Sequence, residues 1–339
     1  MATSTEPTTA QAPEASTATA VRRRRAGWRA VARKELADHL RSVRFLLLVV
    51  LLSLSAIAAV VAAAGRLREV APEVVGLPSV FLRLFTIQLA DTPFSFVSFV
   101  AIIGPLLGIA FGFDAINSER AGRTLPRLVS QPIHRDDVVN GKFVAGLAAI
   151  AIVLSALTAI VAGIGILRLG VIPTVADAGR LVAWLVVSIV YVGVWLALAI
   201  LLSVRLRRAA TSAMAALAVW LVLTLFGGLI VSLIANVVAP VGPGATFDDV
   251  VRNVQVERAL GRVSPGFLYE EAIGPLLAPE QRTLAAAISP LQAYRAIPGV
   301  LPLHQSLLLV WPQVVGLLAM LVVLFTAAYV SFLREEVRA

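Results

Sequence analysis

Asp114-Ala115-Ile116-Asn117-Ser118-Glu119-Arg120-Ala121-Gly122-Arg123-Thr124-Leu125 opens a polar, arginine-rich segment that continues, after a short spacer, as Gln131-Pro132-Ile133-His134-Arg135-Asp136-Asp137-Val138-Val139-Asn140-Gly141-Lys142. An apolar run stands on each side, about 95–113 and 143–167, and neither contains Asp, Glu, Lys, Arg or His. Crossing roughly 30 Å of hydrocarbon takes about 20 apolar residues as a helix. The two runs therefore read as membrane spans, and the segment between them as a polar link at one membrane face. Four more runs of the same kind lie at about 45–63, 181–203, 211–238 and 307–332. The expected fold class is an all-α polytopic membrane protein with six transmembrane helices. A mean hydropathy of +0.89, with 59% apolar and 14% charged residues, excludes an ordinary soluble domain.

The charge pattern sets an expected orientation. With the N-terminus inside, nine Lys and Arg precede the first span, five lie in 114–142, three in 204–210 and two after the last span, 19 of the 29 in the chain. The remaining ten are spread over the longer outward segments 64–94, 168–180 and 239–306. The positive-inside rule then puts both termini on the cytoplasmic side of the membrane. The formal charge of +9 is read the same way, with no nucleic-acid partner expected. The chain has no cysteine, and His39, His134 and His304 fall in separate segments, so no metal site is expected. Only Met214 and Met320 lie in spans, a thin soft-ligand set for Cu(I).

Residues 1–27 read as a disordered basic tail, too poor in apolar residues to offset chain entropy, with Arg22–Arg25 suited to anionic headgroups. Over 28–44, Trp28, Val31, Ala32, Leu36, Leu40 and Val43 recur at helical steps among Arg29, Arg33, Lys34 and Asp38. This predicts an amphipathic helix in the cytoplasmic membrane interface, the alternative being a plain extension of the first span. Ala62-Ala63-Ala64 resembles a cleavage site, but the run before it is a full span far from the N-terminus. Gly104-Pro105 in the second span removes a backbone hydrogen bond and invites a kink, and Pro93 stands near its outer end. Residues 45–238 form spans one to five, with 204–210 a basic anchor between two of them. The 239–306 segment is expected to be a large extracytoplasmic insertion before the last span and tail, 307–339. Phe247, Val250, Val251, Val254, Arg258 and Leu260 predict one amphipathic helix there, and 280–289 a second. Ser264-Pro265 with Tyr269, and Ser289-Pro290 with Tyr294, repeat a short pattern.

Spans without ionisable groups lack the usual means of reading an ion gradient. Gly141-Lys142 is not a phosphate-binding loop, since Phe143 follows it and Asp136 stands where the first glycine belongs. No clustered acid, base or nucleophile is visible, which disfavours a membrane enzyme acting on lipids. The chain is expected to be non-catalytic, with its work driven from elsewhere. Candidate pathway residues are the polar groups in the spans: Ser155, Thr158, Ser188, Tyr191, Thr224 and Asn236. Most such groups satisfy helix backbones or neighbouring helices.

Within 114–142, the second span can continue as a helix to Arg120 before Gly122 and Pro126 interrupt it. A short helix over 134–142 has Asp136 and Asp137 at its start and Lys142 at its end, as the helix dipole favours. Short helices joined rigidly to two spans relay displacement between domains.

Ala32-Arg33-Lys34-Glu35-Leu36, Phe113–Arg120, Thr124-Leu125, Gln131–Arg135 and Gly141-Lys142 resemble, in order and placement, the ABC-2 type permeases, and among them the branch typified by the NosY permease. The resemblance extends in outline over about 30–339, and Arg123 departs from the glycine common at its position. It implies an interfacial elbow helix carrying Trp28, Lys34, Glu35 and Leu36. It also implies a coupling helix that docks on a separate ABC ATPase subunit, with Asp114, Glu119, Arg120, Thr124, Leu125, Pro132, Arg135, Gly141 and Lys142 as the coupling residues. It further implies a homodimer of permeases with two ATPase copies, ATP and Mg being held by the ATPases and no cofactor by this chain. Export across the plasma membrane is the implied function. The alternatives are a mechanotransmitter or scaffold that relays ATPase motion to an extracytoplasmic partner at 239–306, and a solvated anchor whose arginines meet membrane lipid.

Overall fold

The computed structural model describes residues 14–69, 80–87, 95–122, 135–279 and 301–334, with side chains described for all of these except 14–26, 44, 66–69 and 135. Among the described residues the protein is helical throughout, with no strand. In chain order the helices are α1 (Glu14–Arg41), α2 (Val43–Glu69), α3 (Val80–Thr86), α4 (Phe96–Gly112), α5 (Asn117–Ala121), α6 (Arg135–Leu169) and α7 (Val175–Arg205). They continue as α8 (Ala209–Leu221), a π-helical turn (Val222–Phe226), α9 (Gly227–Val238), α10 (Phe247–Gly261), α11 (Pro265–Leu277) and α12 (Leu303–Arg334). Among the described residues six stretches are long and apolar enough to cross a membrane: Phe45–Gly65, Phe96–Ala121, Asp136–Leu169, Val175–Arg205, Ala209–Val238 and Leu303–Arg334. Each contains one of the six apolar runs, or all but a residue of it. Pro93, the 280–289 helix, Ser289-Pro290 and Tyr294 lie outside the described residues.

The bundle is organised around α7. Its first turn is closed by a capping box in which Thr174 Oγ1 accepts from Asp177 N–H at 3.1 Å and Asp177 Oδ2 accepts from Thr174 N–H at 3.1 Å. Its 31 residues make a rod of about 46 Å at 1.5 Å per residue. Trp184, Tyr191, Trp195, Leu196 and Ile200 are buried along it. Gly104, Gly108 and Gly112 of α4 recur every fourth residue and face it. A Cβ built on Gly108 would stand 2.6 Å from the Val192 carbonyl oxygen, and one on Gly112 would stand 2.6 Å from Ala199 Cβ. The stripe lets two backbones approach as only small residues allow.

Pro105, the proline flagged by the sequence, sits inside α4. Having no N–H, it leaves the carbonyl of Ala101 without its helical donor. The Tyr191 hydroxyl of α7 supplies one at 2.7 Å, and Trp220 Nε1 of α8 donates to the next carbonyl, Ile102, at 3.2 Å. The missing hydrogen bond thus becomes a joint between three spans, as satisfaction of backbone groups in lipid requires.

The two ends of α7 differ. At its C-terminal end lie α1, α5 and the start of α6. At its N-terminal end lie α10 and α11. Helix α11 is apolar and mostly buried, and its first turns reach in to Tyr191, where Tyr191 and Tyr269 stack with centroids 4.3 Å apart and planes 5° apart. Tyr191 stands 11 residues along α7 from Arg180, so α11 extends about 16 Å along the rod. It packs between α7 and α12 and does not stand off as a separate cap. The fifth span is the least enclosed: none of its apolar window is buried, against 61% for the second and fourth spans.

Candidate functional site

The described parts of the polar segment, 114–122 and the start of α6, pack onto two other helices, α1 and α7. After α4 ends at Gly112, the turn through Ile116 leads into α5, and Ser203 Oγ of α7 accepts the N–H groups of Ile116 at 3.0 Å and Asn117 at 3.3 Å. From α5, Arg120 reaches the carbonyls that end α7. Its Nη1 donates to Ser203 O at 3.2 Å and Leu206 O at 3.5 Å, and its Nη2 to Val204 O at 2.9 Å. Asn117 Oδ1 accepts from the same guanidinium at 3.2 Å. The last carbonyls of a helix have no partner within it and carry the negative end of its dipole, so a forked cation suits them.

Lys142, in the second turn of α6, has a side chain only 5% exposed. Its Nζ lies 3.0 Å from Glu35 Oε1 of α1 and 3.3 Å from Glu119 Oε1 of α5. A desolvated ammonium needs close counter-charges, and here two carboxylates from different helices supply them. One residue earlier, Gly141 makes the approach of α1 and α6 possible, since a Cβ there would meet Val31 Cγ1 at 2.6 Å and the Trp28 carbonyl oxygen at 3.0 Å. His39 of α1 packs against Phe111 with ring centroids 5.0 Å apart, and burial holds its imidazole below the ordinary value of 6.5.

Of the residues singled out from sequence, Glu35, Glu119, Arg120, Gly141 and Lys142 thus meet in one knot joining α1, α5, α6 and α7. Asp114 is half-buried in the turn before α5, and Leu36 packs on the core. Trp28 lies beneath the guanidinium of Arg29, 5.4 Å from its ring centroid. Lys34 faces outward in pairs with Asp38 at 3.2 Å and Glu35 at 3.7 Å, solvated contacts that contribute little. Thr124, Leu125 and Pro132 lie outside the described residues, as does the side chain of Arg135.

Ser203 was not singled out, because a serine near the end of an apolar run carries no signal of its own. Nor was Arg180, in the second turn of α7, which is 2% exposed. Its Nη1 donates to Pro275 O at 3.2 Å, Leu276 O at 3.4 Å and Ser306 Oγ at 2.8 Å, and its Nη2 to Leu301 O. It therefore caps the C-terminus of α11 as Arg120 caps that of α7. A lone arginine flanking an apolar run was the available signal.

The candidate pathway residues divide. Thr158 and Ser188 donate to the carbonyls of Leu154 and Trp184 in their own helices, at 2.7 and 2.8 Å, and Ser188 also shares a hydrogen bond with Tyr269. Ser155 is on the exposed face of α6, and Asn236 accepts from Asn253 of α10 at 3.1 Å. Tyr191 and Thr224 line a cavity of about 210 Å³ between the spans and α10–α11.

Six helices long and apolar enough to cross a membrane, with α5 and α6 tied to α1 and to the end of α7, define a multi-pass membrane protein. The chain matches the family described as ABC-2 family transporter protein over residues 29–337, and it belongs to that family. As a member it is a membrane permease component of an ABC transporter. No curated protein matches it.

Proposed function

We propose that this chain couples ATP hydrolysis on a separate ATPase subunit to export of a substrate across a prokaryotic plasma membrane, as a NosY-like permease with cytoplasmic termini. In this reading two copies of the chain act with two ATPases, which hold ATP and Mg, and the ATPases dock on the segment between α5 and α6. The exposed apolar face of the fifth span, with Leu225, Leu229 and Leu233, is where the second copy would pack.

The observation that carries the reading is the sharing of Lys142 between Glu35 and Glu119, together with the Arg120 cap on α7. Any push on the 123–134 link is delivered to α1, α6 and α7 at once, because each is held to α5 or α6 by charge-assisted contacts. A second reading, relay of motion without solute transfer, is favoured by the two arginine caps in series, from α5 to α7 and from α7 to α11.

Full-length protein purified from its native membranes should bring an active ATPase with it. Replacing 123–134 by a Gly-Ser linker of equal length should abolish that association. Arg120→Met should keep the ATPase bound while ATP turnover loses its response to the permease. An ATPase that stays bound and coupled after the linker replacement would refute the proposal. ATP-dependent solute uptake into inside-out vesicles separates export from relay.

A further inference from the structure

The cavity of about 210 Å³ has a composition that the coupling reading does not use. Tyr191 and Trp195 of α7 and Phe267 of α11 bring three aromatic side chains to its walls, and Glu257 of α10 and Glu270 of α11 bring two carboxylates. No lysine or arginine lines it, and neither carboxylate has an ion-pair partner among the described residues. Neighbouring Glu271 shows the contrast, being held by Arg262 at 3.0 Å and Gln313 at 3.1 Å.

One further observation marks the cavity as more than a packing defect. Its far wall is the π-helical turn of the fifth span, through Leu223 and Thr224, followed by Gly227 and Gly228. Such turns are rare and concentrate at functional sites.

We infer that this cavity is a binding site for an alkylammonium group. The aromatic faces attract a quaternary or alkylated ammonium that water solvates poorly. Glu257 and Glu270 neutralise its charge. A free organic cation and a choline lipid headgroup both present this chemistry. Treating the ligand as cargo rests on the permease reading, whereas the site itself does not.

The test is choline titrated into the full-length protein in phosphatidylglycerol nanodiscs, followed by calorimetry. The comparison is with 3,3-dimethylbutan-1-ol, a neutral molecule of the same shape. Choline should bind saturably, and roughly tenfold or more tightly than the alcohol. The Glu257→Gln/Glu270→Gln pair should lose that preference, and Trp195→Phe, which keeps an aromatic ring, should weaken choline while retaining it. Glu257→Gln alone, at the more exposed helix, guards against misfolding of the double variant. Substituting phosphatidylcholine for half the lipid should weaken free choline if the headgroup is the natural occupant, and leave it unchanged if a soluble cation is. Equal binding of alcohol and choline, an unaltered preference in the double variant, or no saturable binding of choline would each overturn the inference. Because binding is read without ATP or transport, failure here leaves the coupling proposal standing, and the reverse also holds.

Discussion

The two ends of α7 are closed by the same device set in different surroundings. At one end Arg120 comes from α5 to cap α7, and beside it Lys142 is balanced by Glu35 and Glu119. At the other end Arg180 leaves α7 to cap α11, and the acceptors found for it are three carbonyls and a hydroxyl. The first end is built of opposed charges carried by separate helices, with Lys142 buried and Glu35 and Glu119 keeping some exposure. The second sets three carbonyls and a hydroxyl around a buried guanidinium, which ties α7 to α11 and α12. A joint of opposed charges and a joint that holds one cation among carbonyls are thereby distinguished in their chemistry.

Breaking the holding joint should cost most. Arg180→Leu leaves Pro275 O, Leu276 O, Leu301 O and Ser306 Oγ without their donor, which predicts a loss of about 4 kcal/mol. The check is the apparent thermal midpoint of the purified protein, with Arg180→Lys only partly restoring it because an ammonium cannot fork. Lys142→Met should cost less, about 2–3 kcal/mol, since Glu35 and Glu119 retain some hydration. Adding Glu119→Gln to it should recover part of the loss, and a double-mutant cycle measures the coupling directly.

Smaller again is Gly108→Val, which drives a side chain against the Val192 backbone and should cost about 2 kcal/mol as α4 and α7 are wedged apart. The smallest effect is a pH dependence. His39 is held below 6.5 by burial, with Glu35, Lys142, Asp114 and Asp38 around it. Its neutral form is favoured in the fold, so its contribution is fully present above 6.5 and is lost as pH falls from 6.5 toward the lower folded value. His39→Phe should flatten the stability profile below pH 6.5, measured as thermal midpoints across a pH series.

Much of the architecture was legible because lipid imposes a coarse rule. Six uncharged runs of about 20 residues predicted six crossings, and each is matched by a helix long and apolar enough to cross. The 247–260 pattern likewise appears as α10. Pairings across the chain were not legible. Glu35 and Lys142 lie more than a hundred residues apart, and nothing local in either names the other. The glycines at 104, 108 and 112 show a spacing but not which helix they face. Helix α11 has only 13 residues, too short to read as a span, and its insertion beside Tyr191 depends on a tyrosine stack that neither residue announces. Extending the helix before the first span back to Glu14 brings in the segment of Arg22–Arg25, where composition pointed to a tail.

The central claim is that α5 holds α1 and the end of α7 as one mechanical unit. Arg33 on α1 and Arg207 just past α7 are both exposed, and the chain has no cysteine to interfere with labelling. Spin labels at Arg33→Cys and Arg207→Cys should give one narrow distance distribution by double electron–electron resonance, unchanged between the nucleotide-free and ATP-trapped complex. That distribution should broaden when Lys142→Met or Arg120→Met is added. A distance that shifts beyond the width of the distribution on ATP binding in the otherwise intact protein, or that ignores both substitutions, would contradict the claim.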